Sequence, residues 1–416
     1  MNRGMASLRR RRRDRASRFL VTGAAGFLGS HIAAALLRAG YRVTALARGS
    51  KGVGARARID RLAGWFGLEE EARGRLAVAE GDILDPGWAD VAVEAARAGA
   101  RTAAAGIGGG TAKIDEIVHC ASNTAFAERK RAEVEAANIG GLENVLAFAR
   151  RAGCSFFHHV STAYVAGRRT GSCREVWPDA GPFTNVYEET KARGEILARD
   201  ACRDAGIRLN VYRPTIVYGD SRTGRTLRFN ALYYPVKAAV LLRDTYLADI
   251  KERGGRRAAE LGIRLGPDGR LVLPLRIEVA PGGGINLVPV DHCVAAFLAI
   301  LEDGPGGGIY HIANPEQTKI EDIVDYGRRH FGLDGIEACG PEALAARPKN
   351  SLEVLYDSYL GVYRPYMQDT RTFDMTNAAP PLAGRGLACP EFDYEVFARC
   401  MDYAVATGWG GRLFAS

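Results

Sequence analysis

The fold is decided by the stretch Arg18-Phe-Leu-Val-Thr-Gly-Ala-Ala-Gly-Phe-Leu-Gly29, which joins an apolar run to a turn with three glycines. The run predicts a short strand, and residues 31–39 predict a helix that ends at Gly40. Glycines at such a junction allow a tight turn and let the backbone approach a pyrophosphate at the helix N-terminus. The spacing Gly-x-x-Gly-x-x-Gly departs from Gly-x-Gly-x-x-Gly, but the physical requirement is the same. The stretch therefore predicts the opening of a dinucleotide-binding fold.

The alternation of strand and helix continues to about residue 220. Long helices are predicted at 132–152 and 184–205, and further strands at 41–47, 76–79, 114–119, 155–161 and 208–212. Strands separated by helices in this way form a parallel sheet that helices cover on both faces. The predicted fold class is α/β, a Rossmann-type doubly wound parallel sheet with a smaller, mainly helical C-terminal substrate-binding region.

The rhythm changes beyond Gly219, which suggests a division of the chain into parts. Residues 95–110, rich in Ala and Gly, predict a flexible surface insertion before the fourth strand. The segments 286–290 and 308–312 are predicted to return to the main sheet. We expect a disordered basic leader (1–17), a dinucleotide-binding domain (18–220, with 285–315 returning to it) and a substrate-binding region (221–284 and 316–416).

The charge is concentrated at the start of the chain. The 416 residues carry a net charge of +8, and residues 1–18 hold eight arginines against one acid, Asp14, a charge of +7. The remainder is therefore close to neutral at +1. A basic leader on a neutral body argues against a nucleic-acid partner.

The cysteines and the apolar runs bear on location. Eight cysteines are scattered without a Cys-x-x-Cys pair, which argues against a metal site and a disulfide framework and fits a reducing cytosol. The apolar segment after the arginines is interrupted by Gly23, Gly26 and Gly29, so no run reaches the roughly 20 residues that span a bilayer. The sequence predicts a cytoplasmic protein without a membrane span.

The end of the second strand bears on the choice between NAD and NADP. NAD binding favours an acid there, which accepts hydrogen bonds from the ribose hydroxyls, whereas a 2′-phosphate needs a cation. Here the strand ends Leu46-Ala47-Arg48, so NADPH is favoured over NADH unless Arg48 is only a solvated surface charge. Asp82 after the third strand either contacts the adenine edge or caps a turn before Pro86.

A tyrosine and a lysine supply the predicted chemistry. Tyr187 and Lys191 lie one helical turn apart on the same face. An ammonium beside a phenol lowers a pKa that is about 10 in water. Ser161 and Thr162 follow the fifth strand, at the sheet edge where ligands bind, and can hydrogen-bond a substrate carbonyl. The pattern predicts hydride transfer at a carbonyl, with the tyrosine handling the proton and Lys191 also reaching the nicotinamide ribose.

In combination these motifs resemble the extended short-chain dehydrogenases/reductases, over about residues 18–315. The resemblance rests on the glycine turn, Asp82, Asn138 in Ala-Asn-Ile-Gly-Gly, the Tyr187/Lys191 pair, Arg213-Pro214 and Val290-Asp291.

Two further segments, 160–167 and 213–224, resemble the thioester-reductase and fatty acyl-CoA reductase branch, the male-sterility-like group. They read Val-Ser-Thr-Ala-Tyr-Val-Ala-Gly and Arg-Pro-Thr-Ile-Val-Tyr-Gly-Asp-Ser-Arg-Thr-Gly.

The resemblance implies roles for individual residues. Asn138 would steady a helix bend and a proton-relay water, and Thr162 takes the hydroxyl role. The expected catalytic residues are Thr162, Tyr187, Lys191 and Asn138. The expected cofactor-binding residues are Thr22, Gly23, Gly26, Phe27, Leu28, Gly29, Arg48, Asp82, Ile83, Cys120, Ala121, Lys191, Arg213, Pro214 and Ile216. The expected substrate-binding residues are Ser161, Ser122, Tyr164 and Tyr218.

The expected function is NADPH-dependent reduction of an acyl thioester, on coenzyme A or a carrier, to an aldehyde or an alcohol. The partners are then the acyl substrate and an acyl carrier protein, and a homodimer is left open. Three alternatives stay open: reduction of a free ketone or aldehyde, epimerase or dehydratase chemistry on a nucleotide sugar, and an NADP-sensing regulator without turnover.

Overall fold

The computed structural model of the chain describes residues 16–104, 113–361 and 363–414. The predicted basic leader, 1–17, lies almost entirely outside these residues. Among the described residues, no helix is both long enough and apolar enough to cross a bilayer.

The first half of the chain alternates strands and helices, as predicted. Its elements are β1 (Arg18–Thr22), α1 (Phe27–Arg38), β2 (Arg42–Ala47), α2 (Ala55–Trp65), α3 (Glu70–Arg73), β3 (Leu76–Glu80), α4 (Trp88–Ala104), β4 (Glu116–His119), α5 (Arg131–Glu135), α6 (Gly141–Ala152), β5 (Phe156–Val160), β6 (Ser172–Cys173), α7 (Val186–Ala205), β7 (Arg208–Pro214) and β8 (Ile216–Tyr218).

The second half is more irregular. Its elements are α8 (Tyr233–Glu252), α9 (Arg256–Glu260), β9 (Arg264–Leu265), β10 (Leu271–Glu278), β11 (Gly284–Ile285), β12 (Leu287–Pro289), α10 (Val290–Asp303), β13 (Gly308–Ile312), β14 (Thr318–Lys319), α11 (Ile320–Phe331), β15 (Leu333–Cys339), α12 (Pro341–Ala345), α13 (Ser351–Leu360), α14 (Arg364–Met367), β16 (Thr372–Phe373), α15 (Ala379–Ala383) and α16 (Tyr394–Ala406).

Seven strands form one parallel sheet in the order β13-β7-β5-β4-β1-β2-β3. The strands pair in parallel throughout, with Phe19 opposite Val43 on one side and Leu20 opposite Ile117 on the other. These four side chains are almost wholly buried, because helices cover both faces of the sheet and leave little room for polar residues. The predicted doubly wound α/β fold is confirmed.

The helix predicted at 132–152 is divided. A π-helical turn, Ala136–Gly140, separates α5 from α6 and has the buried Asn138 at its centre. The side chain of Asn138 bonds to Asn123 and Thr190 on neighbouring segments, and these bonds hold the widened turn. Such π turns are rare and occur frequently at functional sites.

The surface insertion predicted at 95–110 is wrong for its first part. Helix α4 runs from Trp88 to Ala104, and Ala92 and Ala96 are buried beneath it. Alanine is the best helix former, so this Ala-rich segment extends the helix instead of ending it. Residues 105–110 lie outside the described residues.

Only one of the two predicted returning segments joins the main sheet. Strand β13 pairs with β7 at the sheet edge, whereas β12 pairs with β8 in a separate two-stranded sheet. The chain leaves the main sheet after Pro214, so β8 lies beyond it. The hydroxyl of Thr215 donates to Asn286 at 2.8 Å and fixes this departure.

A second hydrophobic core lies in the part of the molecule formed by α8 to β11, α11 to α13 and α16, here named the C-terminal lobe. It contains a strand that the sequence did not predict: β15 pairs in parallel with β10. Strand β10 alternates buried and part-buried residues along its length, with Leu271, Leu273 and Leu275 facing the core. Beyond the lobe, β16 returns to pair with β6, and α15 packs on α10.

Candidate active site

A cleft with a volume of about 770 Å³ opens at the carboxyl edge of the sheet. This is the edge at which doubly wound sheets bind their ligands. The cleft brings together eight residues that the sequence assigned to the cofactor or the substrate: Gly23, Gly26, Arg48, Asp82, Ile83, Cys120, Ala121 and Ser122.

The turn between β1 and α1 has the geometry that a dinucleotide requires. Gly23 has a φ of +67°, and a Cβ there would lie 2.7 Å from the backbone nitrogen of Ala121. A Cβ on Gly29 would lie 2.4 Å from the carbonyl oxygen of Gly23. Helix α1 begins after Gly26 without a side-chain cap, which leaves its N-terminus suited to an anion. These residues fit the pyrophosphate of a nicotinamide cofactor.

The other predicted residues of the turn lie beneath it. Thr22 is fully buried, and its hydroxyl bonds to Nδ1 of His119 at 2.9 Å and accepts from the backbone of Ala121. Phe27 and Leu28 pack on the hydrophobic core through α1. Thr22 therefore ties β1 to β4, and the backbone of the turn forms the floor of the cleft.

Three guanidinium groups lie on one wall of this cleft. Arg48 pairs with Asp82 at 2.9 Å at the rim, Arg58 donates to the backbone carbonyl of Arg48, and Arg228 also lines the cleft. Burial, together with the charges of Arg48 and Arg228, lowers the pKa of Arg58. Sequence reasoning found Arg48 alone. The other two are missed because α2 and the loop before α8 supply them from distant parts of the chain.

Tyr187 lies at the start of α7, where its hydroxyl hydrogen-bonds that of Thr162. Thr162 in turn donates to the carbonyl of Pro214 at 3.5 Å and accepts from the backbone of Tyr164. The sequence predicts a lowered pKa for Tyr187, but in the structure burial raises this pKa, and the Thr162 bond acts in the other direction to lower it. The expected effect of Lys191 on this phenol is therefore not found.

Lys191 lies one turn further along α7 and is buried. Its ammonium group donates to the carbonyl oxygen of Val160 at 2.8 Å. Burial lowers the pKa of Lys191 to about 8, against the charges of Cys120 and Glu195, which raise it. Cys120 lines the cleft, and burial raises the pKa of its thiol to about 12. The lysine thus lies between the cofactor cleft and the start of α7.

Asn138 is held entirely by the protein. Its side-chain oxygen accepts from the Ser122 hydroxyl at 3.0 Å and from the backbone of Asn123 at 2.7 Å. Its nitrogen donates to the carbonyl of Asn123 and to the Thr190 hydroxyl, both at 3.0 Å. Four bonds satisfy the amide, so these contacts favour a positioning role over the binding of a relay water.

The remaining predicted substrate residues are spread along the site. Ser161 is buried, and its hydroxyl has no hydrogen-bond partner in the part of the chain that the structure describes. The ring of Tyr164 packs edge-on against Tyr366 at 5.0 Å. Tyr218 packs against Phe392 in the C-terminal lobe, at 5.0 Å, away from the cleft.

Two predicted cofactor residues have their contacts elsewhere. Arg213 is buried, pairs with Glu195 at 2.6 Å and donates to the carbonyl of Val176 at 2.8 Å. Its position after the sixth strand suggested the cofactor, but the guanidinium is directed into the protein. Ile216 lines an apolar cavity in the C-terminal lobe. Pro214 lies next to the site through its carbonyl, which accepts from Thr162.

Aromatic rings that the sequence reasoning missed surround Tyr187. Phe126 lies 5.9 Å from Tyr187, 5.5 Å from Tyr366 and 5.9 Å from Tyr363, measured between ring centroids. The hydroxyl of Tyr366 donates to Glu188 at 2.6 Å. These four rings, Phe126, Tyr187, Tyr363 and Tyr366, are named the aromatic cluster. Two of them come from the last hundred residues, where no motif marked them in advance.

Two histidines under the cleft contribute no proton chemistry near neutral pH. His119 and His159 are buried and stacked at 5.7 Å. Burial lowers the pKa of His119 to about 3 and that of His159 well below its usual value. Both are therefore neutral packing residues. In the described parts of the chain, no group of three or more His, Cys, Asp or Glu side chains is placed to hold a metal ion.

Comparison with known proteins agrees with this geometry. A sequence model of the family described as male sterility protein matches residues 21–297. The chain is 30% identical to 3 beta-hydroxysteroid dehydrogenase/Delta 5→4-isomerase of Mycobacterium tuberculosis over 207 residues, 49% of this chain and 48% of that protein. It is 24% identical to a linear gramicidin synthase of Brevibacillus parabrevis over 411 residues, 94% of this chain and 7% of that protein. The chain thus spans about half of the first relative and a small part of the second.

Among solved structures, the fold is similar to the terminal R domain of the myxalamid PKS-NRPS biosynthetic pathway. The TM-score is 0.70 at 22% identity, and the match covers 95% of this chain and 92% of that domain. At this identity, the similarity establishes the fold.

Proposed function

The chain belongs to the male sterility protein family, among the NAD(P)-dependent oxidoreductases of the extended short-chain dehydrogenase/reductase type, and we propose that it reduces an acyl thioester with NADPH. The observation that carries the proposal is the bonded pair of hydroxyls, Thr162 and Tyr187, with Lys191 between this pair and a nicotinamide-type cleft. The extent of the similarity to reductase domains of assembly-line enzymes supports a thioester as the substrate.

In the proposed mechanism, the bound cofactor supplies a hydride to the carbonyl carbon. Thr162 and Tyr187 donate hydrogen bonds to the carbonyl oxygen, and Tyr187 transfers its proton as negative charge develops there. A raised pKa keeps the phenol protonated at neutral pH, ready to donate. The ammonium of Lys191, one helical turn away, stabilises the phenolate that remains. The product of this step is a hemithioacetal, which breaks its C–S bond to give an aldehyde and a thiol.

The cleft wall supports NADPH over NADH. A 2′-phosphate carries about two negative charges, and a guanidinium binds it in bidentate fashion. Three arginines share this wall, and within the described part of the chain the one carboxylate paired among them is that of Asp82. We propose that Arg48, Arg58 and Arg228 together hold the 2′-phosphate.

The test is NADPH oxidation by the purified chain against acyl-CoAs, acyl-carrier thioesters, free aldehydes and ketones, and UDP-sugars. We expect oxidation with thioesters and release of one thiol for each acyl group reduced. Stoichiometric NAD in the purified protein, with epimerisation of a UDP-sugar and no thioester-dependent oxidation, would instead identify an epimerase. Tight NADPH binding without turnover of any of these compounds would favour a regulator.

A further inference from the structure

An apolar cavity lies inside the C-terminal lobe, between α8, β10, α11 and α13. Its volume is about 80 Å³, and its walls are almost entirely hydrocarbon. The aliphatic and aromatic side chains that form them include Val236, Ile277, Ile323, Phe331, Leu333 and Ile336.

The polar side chains at this cavity are occupied by protein partners. The hydroxyl of Tyr356 donates to the carbonyl of Pro235 at 3.2 Å, and the hydroxyl of Tyr363 bonds the backbone of Ala231. Arg328 uses its two terminal nitrogens on Asp325 and Asp334, so that only its Nε is left without a partner among the described residues. The cavity therefore offers little to a polar ligand.

The cavity lies beside the reacting residues. Tyr363 and Tyr366 line the cavity and belong to the aromatic cluster, so one ring, Phe126, separates this wall from Tyr187. Ile216 lines the cavity from the other direction, two residues beyond Pro214, which accepts a hydrogen bond from Thr162. A chain attached to a carbonyl at Tyr187 thus reaches the cavity past the aromatic cluster.

One wall residue leaves space that a side chain would fill. Gly327 lies within α11 and lines the cavity, and a Cβ added there meets no atom within 4 Å. Glycine inside a helix is less favourable than alanine. The space that Gly327 leaves is consistent with a requirement for room in the cavity.

We propose that this cavity binds the hydrocarbon end of a straight, medium-chain acyl group and that Gly327 limits the chain length accepted. This inference rests on the proposed reduction of an acyl thioester. Because roughly 10–15 Å³ suffices for one water-sized group, the cavity holds on the order of six methylene groups. Each buried methylene contributes about a fourfold gain, so kcat/KM should rise about fourfold per methylene until the cavity is full.

The experiment measures kcat/KM for butanoyl-, hexanoyl-, octanoyl-, decanoyl- and hexadecanoyl-CoA. We expect the wild type to rise to a maximum at medium length, and Gly327→Leu to lower the octanoyl-to-butanoyl ratio more than tenfold. Gly64→Leu is the matched control, because Gly64 is an exposed glycine of α2, distant from the cavity, and this change should leave the ratio unaltered. If Gly327→Leu does not fold, Gly327→Ala, which adds one methyl group to open space, should shift the optimum to a shorter chain.

A binding measurement separates this inference from the proposed function. Isothermal titration of octanoyl-CoA and butanoyl-CoA into the full chain with NADP⁺ should show tighter octanoyl binding, and Gly327→Leu should remove the difference. If no thioester is reduced but this difference is found, the cavity assignment stands and the proposed function fails. If thioesters are reduced without preference for length, or if Gly327→Leu and Gly327→Ala leave the preference unchanged, the cavity assignment is overturned.

Discussion

The cofactor cleft and the apolar cavity are built in different ways. The cleft is made mainly of backbone: a glycine turn with a φ of +67° at Gly23, a helix N-terminus and the carboxyl ends of parallel strands. The cavity is made of side chains from α8, β10, α11 and α13, which are far apart in sequence. Backbone geometry of the first kind needs particular residues at fixed spacing. A hydrocarbon wall needs only apolar residues of suitable size.

This difference predicts that substitutions in the two regions act on different quantities. Changes in the cleft should alter cofactor binding for every substrate, and changes in the cavity should alter only the preference among acyl groups. Tyr187 belongs to both regions through its place at the cleft and in the aromatic cluster, so it gives the largest single effect.

Replacing Tyr187 by Phe should lower kcat by about 10²- to 10⁴-fold for all chain lengths, because the proton donor is removed and the ring is kept. The affinity for NADPH should change little. Stopped-flow measurement of hydride transfer, with NADPH affinity from fluorescence titration, checks both. Tyr246→Phe, on α8, is the control and should be silent. Turnover of Tyr187→Phe close to that of the wild type would remove this residue from the proton path.

Replacing Gly23 by Ala should weaken NADPH binding on the order of 100-fold. The new Cβ would lie 2.7 Å from the backbone of Ala121, where a flexible side chain cannot yield. Gly206→Ala is a matched control, since its φ of +65° is similar but its Cβ meets no atom. Both variants should lose about 1–2 kcal/mol of stability from the left-handed conformation. Titration of NADPH into each variant separates the steric clash from this strain. Equal affinities in the two would show that close packing at the turn does not matter.

The extent to which sequence predicted the molecule follows the same division. The glycine turn, the parallel strands and the Tyr187/Lys191 spacing were readable because they are local and have a fixed period. The π turn at Asn138 was not, because it depends on bonds to Asn123 and Thr190 on other elements.

Distant contacts also account for what was misplaced or missed. Arg213 was assigned to the cofactor from its place after a strand, but Glu195 on α7 pairs with it. Phe126 and Tyr366 meet at Tyr187 only after about 240 residues of chain have folded between them. Residues that function through tertiary contacts of this kind carry no local signal.

Removing either of two arginines should test the cofactor wall alone. Arg58→Ala or Arg228→Ala should weaken NADPH binding roughly tenfold and leave NADH binding unchanged, because each guanidinium bond to a charged group contributes about 1.5–3 kcal/mol at most. Arg56→Ala is the control, since Arg56 lies on the same helix and pairs with Asp60. Dissociation constants for both cofactors give the answer. A parallel loss of NADH affinity would mean that these arginines hold the cleft and not the 2′-phosphate.

The pH dependence should report Lys191, with a smaller effect. Burial lowers its pKa to about 8, so the ammonium loses its proton as the pH rises through 8 and no longer stabilises the phenolate. In kcat/KM, which reports the free enzyme, activity should fall about tenfold per pH unit above pH 8. In stability the sign is opposite. The unfolded lysine keeps its proton up to about 10.5, so the folded state gains about 3 kcal/mol between pH 8 and 10.5.

Lys191→Met should lose the alkaline fall in kcat/KM, together with much of the activity, and should also lose the rise in stability. Activity and unfolding measured across pH 7 to 10.5 on both proteins separate these two effects. A fall in activity that persists in Lys191→Met would assign the titration to another group. A stability curve without the rise would mean that Lys191 is not buried as a cation in the folded protein. Because the lysine contacts the cleft through Cys120 and not the apolar cavity, the pH profile should be the same for short and medium acyl chains.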